Sequence, residues 1–191
     1  MHHTFRAVLL FVGLVPLMAA ADALVPWEFG MSPAEVVSRS EHGPYKTFKN
    51  GDVETYNYKV NGQPTNIQFY FGPNGLKGDG LNRISIGFYE GDDVKEAAKA
   101  WRLAYEFLRD KFGPVELPDI HVRADGAAVD ASVANSPEVL SIAAAANADV
   151  TGKTQMAPTK QPNDKFVFSS FTARVFQGKK VYGVVVYYDR I

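Results

Sequence analysis

Cysteine is absent from the 191 residues, which removes disulfides, thiolate metal sites, a cysteine nucleophile and a lipid-bearing cysteine from consideration. A domain of this size without disulfides has to be held by its core. Histidine is scarce: beyond the extreme N-terminus only His42 and His121 occur, so a histidine-rich zinc site is excluded on count. Charge of one sign is lacking as well, with 20 Lys and Arg against 21 Asp and Glu. No basic run marks a nucleic-acid groove or a polybasic membrane patch, and nucleic acid is not expected as a partner. Past the N-terminal segment no apolar stretch approaches the about 20 residues that span a bilayer, so stable membrane insertion is not expected.

What is there begins with MHHTFRAVLLFVGLVPLMAAADA, where His2, His3 and Arg6 precede an apolar run from Ala7 to Met18 and small residues close it. This pattern predicts a signal peptide over residues 1–23, with a mature chain starting near Asp22 or Leu24. The protein is therefore expected to be exported, to the periplasm or beyond. The remaining residues, 24–191, suit a single domain, given 46% hydrophobic and 13% aromatic residues in the chain.

Helix signals come first. Ser32, Pro33 and Glu35 form a Ser-x-x-Glu capping box with proline at the first helical position, and Gly43-Pro44 stops a short helix. Val53–Val60, Asn66–Phe71 and Arg83–Tyr89 alternate with period two, and Asn61-Gly62 supplies a hairpin turn, which predicts an antiparallel meander. From Asp93 to Phe112 the apolar residues Val94, Ala98, Trp101, Tyr105, Leu108 and Phe112 recur at spacings of four and three, the stripe of a helix that covers a sheet. Pro118–Lys165 shifts to Ala, Asp, Asn, Ser, Thr and Pro and predicts a polar excursion with one weak helical stretch. Phe166–Phe176 and Val181–Asp189, joined by QGKK, predict a terminal hairpin. The fold class expected is α+β, an antiparallel sheet of about five strands with one long and one short helix packed on one face.

The stretch FGPNGLKGDGLNRISIGFYEG crowds Gly72, Gly75, Gly78 and Gly80 together and raises the possibility of a phosphate or calcium loop. Strands flank it on both sides, whereas a phosphate cradle opens a helix. Calcium needs several carboxylates at two-residue spacing, and Asp79 stands alone. The loop is read as a turned corner. TGKT, Thr151–Thr154, lacks the upstream glycine and the preceding strand of a nucleotide loop. No cofactor is expected. Asp52 with Glu54, Asp92 with Asp93, and Asp189 could supply a carboxylate pair for hydrolysis, yet each sits near a turn or strand end.

The order of FGMSPAEV (Phe29–Val36), GPY (Gly43–Tyr45), YNYKV and IQFYFGPNGLKGDGLNRI resembles small exported α+β modules, the outer-membrane-assembly lipoproteins and the β-lactamase inhibitor proteins. The likeness covers Phe29 to Phe88. This chain departs from the lipoproteins by lacking their lipidated cysteine and by adding the long helix, the polar stretch and the terminal hairpin. The resemblance implies a non-enzymatic, protein-binding role in the bacterial envelope.

Alternation divides the strands into two sets. Tyr56, Tyr58, Ile67, Phe69, Ile84, Ile86, Phe88, Phe171, Val175, Val184 and Val186 are expected inward. The opposite set, Gln68, Tyr70, Arg83, Tyr89, Phe166, Phe168, Thr172, Arg174 and Tyr187, is too aromatic for a plain solvated face. Three uses stay open for it. As a binding module, the protein would meet an envelope protein through Tyr70, Arg83, Tyr89, Arg174 and Tyr187, side chains that interfaces favour. As a hydrolase, it would need carboxylates converging beneath the 118–165 excursion. Or the excursion folds over this face and buries it. Oligomeric state is not legible.

Overall fold

A computed structural model describes residues 26–60, 62–72, 80–117, 123–124, 127–128, 137–145 and 152–191. The segment 1–23 expected to be a signal peptide, the glycines Gly75 and Gly78, His121, Thr151 and much of the 118–165 stretch lie outside these residues.

Among the described residues, ten strands and three α-helices follow one another: α1 (Pro33–Val37), a 3-10 turn (Ser40–His42), β1 (Tyr45–Thr47), β2 (Val53–Val60), β3 (Gln63–Phe71), β4 (Leu81–Gly91), α2 (Val94–Phe112), β5 (Val115–Glu116), β6 (Arg123–Ala124), β7 (Ala127–Ala128), α3 (Val139–Ala145), β8 (Gly152–Pro158), β9 (Lys165–Phe176) and β10 (Lys179–Arg190). Eight strands form a single sheet in the order β1-β2-β3-β4-β10-β9-β8-β5, and every neighbouring pair is antiparallel. β6 and β7 pair only with each other.

The α+β character stands, but a sheet of about five strands does not: there are eight. The expected meander (β2–β3–β4) and terminal hairpin (β9–β10) form its middle, joined through β4 and β10. The additional strands are the edges, β1 on one side and β8 with β5 on the other. An edge strand is half-exposed, so YKT and GKTQMAP carry too few apolar residues to announce themselves by alternation. In β8 only Met156 and Pro158 are buried. Of TGKT, Gly152–Thr154 open this strand rather than a phosphate loop.

One face of the sheet carries the core. Ile67, Phe69, Ile84, Ile86, Val184, Val186 and Phe171 are buried there beneath α2, whose Trp101 and Leu108 are fully inaccessible. Phe88 meets Phe107 edge-on, with ring centroids 5.6 Å apart, and Trp101 meets Phe171 at 6.2 Å. The α2 N-terminus is capped as its sequence predicts, Asp93 accepting from the Lys95 and Glu96 amides. The box at α1 is complete, with Ser32 and Glu35 bonded reciprocally. Trp27 packs beside α1 on the same face, 4.6 Å from Phe69 between ring centroids. α3 docks on α2 through buried Leu140 and Ala144, with Arg102 and Glu138 3.1 Å apart. The three described α-helices therefore lie on the same side of the sheet.

Register slips at three places among the described strands, between Tyr70 and Phe71 where β3 meets β4 and at two β-bulges that change the expected faces. In β2 the register slips between Thr55 and Tyr58, so Tyr56 and Asn57 stand opposite Asn66 alone. Tyr56 consequently leaves the inward set and is 63% exposed, while Tyr58 stays on the core side. In β4 the slip falls between Gly87 and Tyr89, which pair with Val185 and Val184. Val175, also expected inward, lies beyond the end of the core and is exposed.

Candidate functional site

The face opposite the helices is built from alternate residues of β2, β3, β4, β10 and β9. Register aligns them in rows: Gln68 opposes Ser85, Ser85 opposes Tyr187, and Tyr187 opposes Phe168. One row further along, Tyr70, Arg83, Asp189 and Phe166 align in the same way. Side chains on facing positions of neighbouring strands stand about 5 Å apart, so these rows are continuous surfaces rather than scattered groups.

Two kinds of chemistry share this face. Toward β9 it is aromatic: Phe166 and Phe168 lie 5.5 Å apart, Phe168 stacks on Tyr187 at 4.9 Å, and the Arg83 guanidinium sits 5.1 Å over the Tyr187 ring. Phe166 is 44% exposed. Toward β2 it is a polar network centred on Glu54. One Glu54 carboxylate oxygen accepts from the Tyr56 hydroxyl at 2.7 Å, the Asn66 amide at 2.9 Å and the Gln68 amide at 3.1 Å. Gln68 in turn accepts from the Tyr70 hydroxyl. Burial opposes ionisation of Glu54, but the bonds from Gln68, Tyr56 and Asn66, aided by the Lys46 charge, outweigh it and bring its pKa below the ordinary carboxylate value.

Hollows lie on both sides of the aromatic row. One, of about 450 Å³, has Gly87 and Gly183 in its floor and Asn66, Gln68, Tyr187 and Arg174 among its walls. Its depth follows from the β4 bulge, because Gly87 has no side chain and Phe88 and Tyr89 both pack toward the core. The other, of about 460 Å³, runs along β8 between Lys153, Gln155, Phe166 and Phe168.

Of the residues singled out from sequence, Tyr70, Arg83, Arg174 and Tyr187 share this face. Tyr89 does not. The bulge turns it to the helix side, where its hydroxyl accepts the Asp93 amide at 3.0 Å and so helps to seat the start of α2. Arg83 is not an open cation: it makes a bidentate pair with the largely buried Asp189, at 2.5 and 2.6 Å, and that bond raises its pKa further. Arg174 pairs with Glu90 at 2.8 Å across the rim of the first hollow, both side chains well exposed. Glu54 and Tyr56 belong to the site and escape alternation, because no glycine or proline in VETYNYKV marks the bulge.

Of the carboxylates proposed for hydrolysis, Asp92 is exposed just before α2, and the others are engaged elsewhere. Asp189 holds Arg83, Asp93 caps α2, and Asp52 accepts from Asn50 and from the Phe71 amide. Glu54 is held as the anion, the wrong state for a general acid. His42 packs against Trp27 at 5.0 Å, on the core side. Among the described residues, no group of three His, Asp or Glu side chains could hold a metal ion, and no helix is long and apolar enough to cross a membrane. Comparison with protein-family models, with curated proteins and with solved structures finds no match.

Proposed function

We propose that the chain is an exported, non-catalytic binding module of the cell envelope, and that the sheet face opposite the described helices meets a protein partner. The observation that carries this reading is the aromatic row Phe166–Phe168–Tyr187 with Arg83, on a face where no described helix lies. Aromatic and arginine side chains contribute most of the energy at protein interfaces, and a sheet face with nothing to bury would carry short polar residues instead. The flanking hollows give a partner's side chains places to enter. The engaged state of Asp52, Glu54, Asp93 and Asp189 favours this reading over a hydrolase. The likeness of Phe29–Phe88 to envelope modules and the leader-like N-terminus point to the same compartment.

The test is capture from the envelope fraction by immobilised protein, wild type against Phe166→Ala combined with Tyr70→Ala. Interface aromatics often contribute about 2 kcal/mol or more each, so capture should fall by about tenfold or more while the melting temperature changes little. Undiminished capture by a folded double variant would overturn the reading.

A further inference from the structure

Beyond Ala173 in β9 and before Tyr182 in β10, the hairpin pairs with no other strand among the described residues. Arg174–Val181 therefore overhangs the sheet as a two-stranded arm. Its turn is tight: Gln177 and Gly178 both adopt positive φ, 51° and 77°, the signature of a two-residue hairpin turn whose twist matches the strands. At its end stand Val175, 71% exposed, and Phe176, 58% exposed. These two side chains point to opposite faces of the ribbon, as neighbours in a strand must. The sequence of the arm, RVFQGKKV, holds no acid; of its cations Arg174 pairs with Glu90 of β4 at 2.8 Å, and Lys179 and Lys180 stand nearer the tip. Lys179 opposes Phe176 and Lys180 opposes Val175, so each apolar side chain has a cation beside it on its own face.

We propose that this arm is a membrane-surface anchor: its tip enters the headgroup region of an anionic bilayer, Val175 and Phe176 in contact with the acyl boundary and the lysines on lipid phosphates. A protein partner lying on one sheet face would use Phe176 or Val175, and the other would stay wet. A bilayer surrounds a tip and takes both. Cations on both faces match the negative surface of such a membrane, and apolar contact and electrostatic attraction add at that depth. This anchor is independent of the aromatic face on β9 and β10, and would hold that face at the membrane surface.

The test is sedimentation of the purified protein with vesicles of phosphatidylethanolamine containing about 25 mol% phosphatidylglycerol, against phosphatidylcholine alone. Wild type should co-sediment with the anionic vesicles only, and release as NaCl rises from about 0.05 to about 0.5 M. Val175→Ser with Phe176→Ser should bind about tenfold more weakly at an unchanged melting temperature. Phe176→Trp gives a second readout on folded protein. Trp27 and Trp101 are buried, at 4% and 0% exposure, so a blue shift of emission on anionic vesicles would report entry of the tip. Failure to bind anionic vesicles, equal binding by the serine variant, or no spectral shift would each overturn the proposal. So would Phe176-dependent capture of a protein without affinity for vesicles.

Discussion

Glu54 is 3% exposed and still ionised because three neutral donors converge on one of its oxygens. Its pKa is lower in the folded chain than in the unfolded one, where a glutamate titrates near about 4.3. The stability it contributes is thus fully present above that value and is lost as pH falls through the lower, folded-state pKa. Glu54→Gln should lower the urea midpoint at pH 7 and make it fall less steeply from about pH 5 to about pH 3 than in wild type. Parallel pH profiles for the two proteins would mean that Glu54 is not held in this way. Nothing in VETYNYKV foretells the arrangement: Glu54 reads as an ordinary acid on a strand, and the donors from Asn66 and Gln68 arrive only through pairing with β3. Tyr70, Arg83 and Tyr187 were legible, because unbroken alternation reaches them from Phe69, Ile84 and Val186. Tyr89 was not, since one inserted residue in β4 reverses its side.

At the scale of elements, two backbone hydrogen bonds clip the N-terminal segment to the start of β4. The Gly30 amide donates to the Leu81 carbonyl at 2.9 Å, and the Leu81 amide donates to the Met31 carbonyl at 2.8 Å. The chains approach so closely that a Cβ on Gly80 would lie 2.3 Å from the Gly30 carbonyl oxygen, and Gly80 has φ of +85°. The glycine-rich corner is thus explained at this end by the contact it permits. Gly80→Ala should cost about 2 kcal/mol or more in denaturant unfolding. Gly51→Ala is the control, since Gly51 has φ of +89° with nothing within 4 Å of an added Cβ, and should cost only the conformational strain of about 1 kcal/mol. Equal losses would show that the Gly80 approach is not tight. Helices were the most legible elements, because the Ser32 box and the Trp101 stripe are local patterns. Edge strands were the least legible, because β1, β5 and β8 are defined by their partners rather than by their own residues.

The whole molecule is a sheet with two unlike sides. α1 and α2 gather on one of them, and α3, the described helix of the 118–165 stretch, joins them there through Leu140, Ala144 and the Arg102–Glu138 pair. The other side keeps its aromatic row, two hollows and a polar network. The overhanging arm of β9 and β10 extends from the same two central strands. In the proposed account the described helices stabilise the sheet and the face opposite them meets the partner. Phe166 on that face and Leu103 on α2 are each 44% exposed, which makes them a matched pair of reporters. The most direct measurement is photo-crosslinking in intact cells, with a benzophenone amino acid placed at position 166 or at position 103. The account predicts a discrete protein adduct from position 166 and none from position 103. An adduct from position 103 alone, or none from position 166, would contradict it.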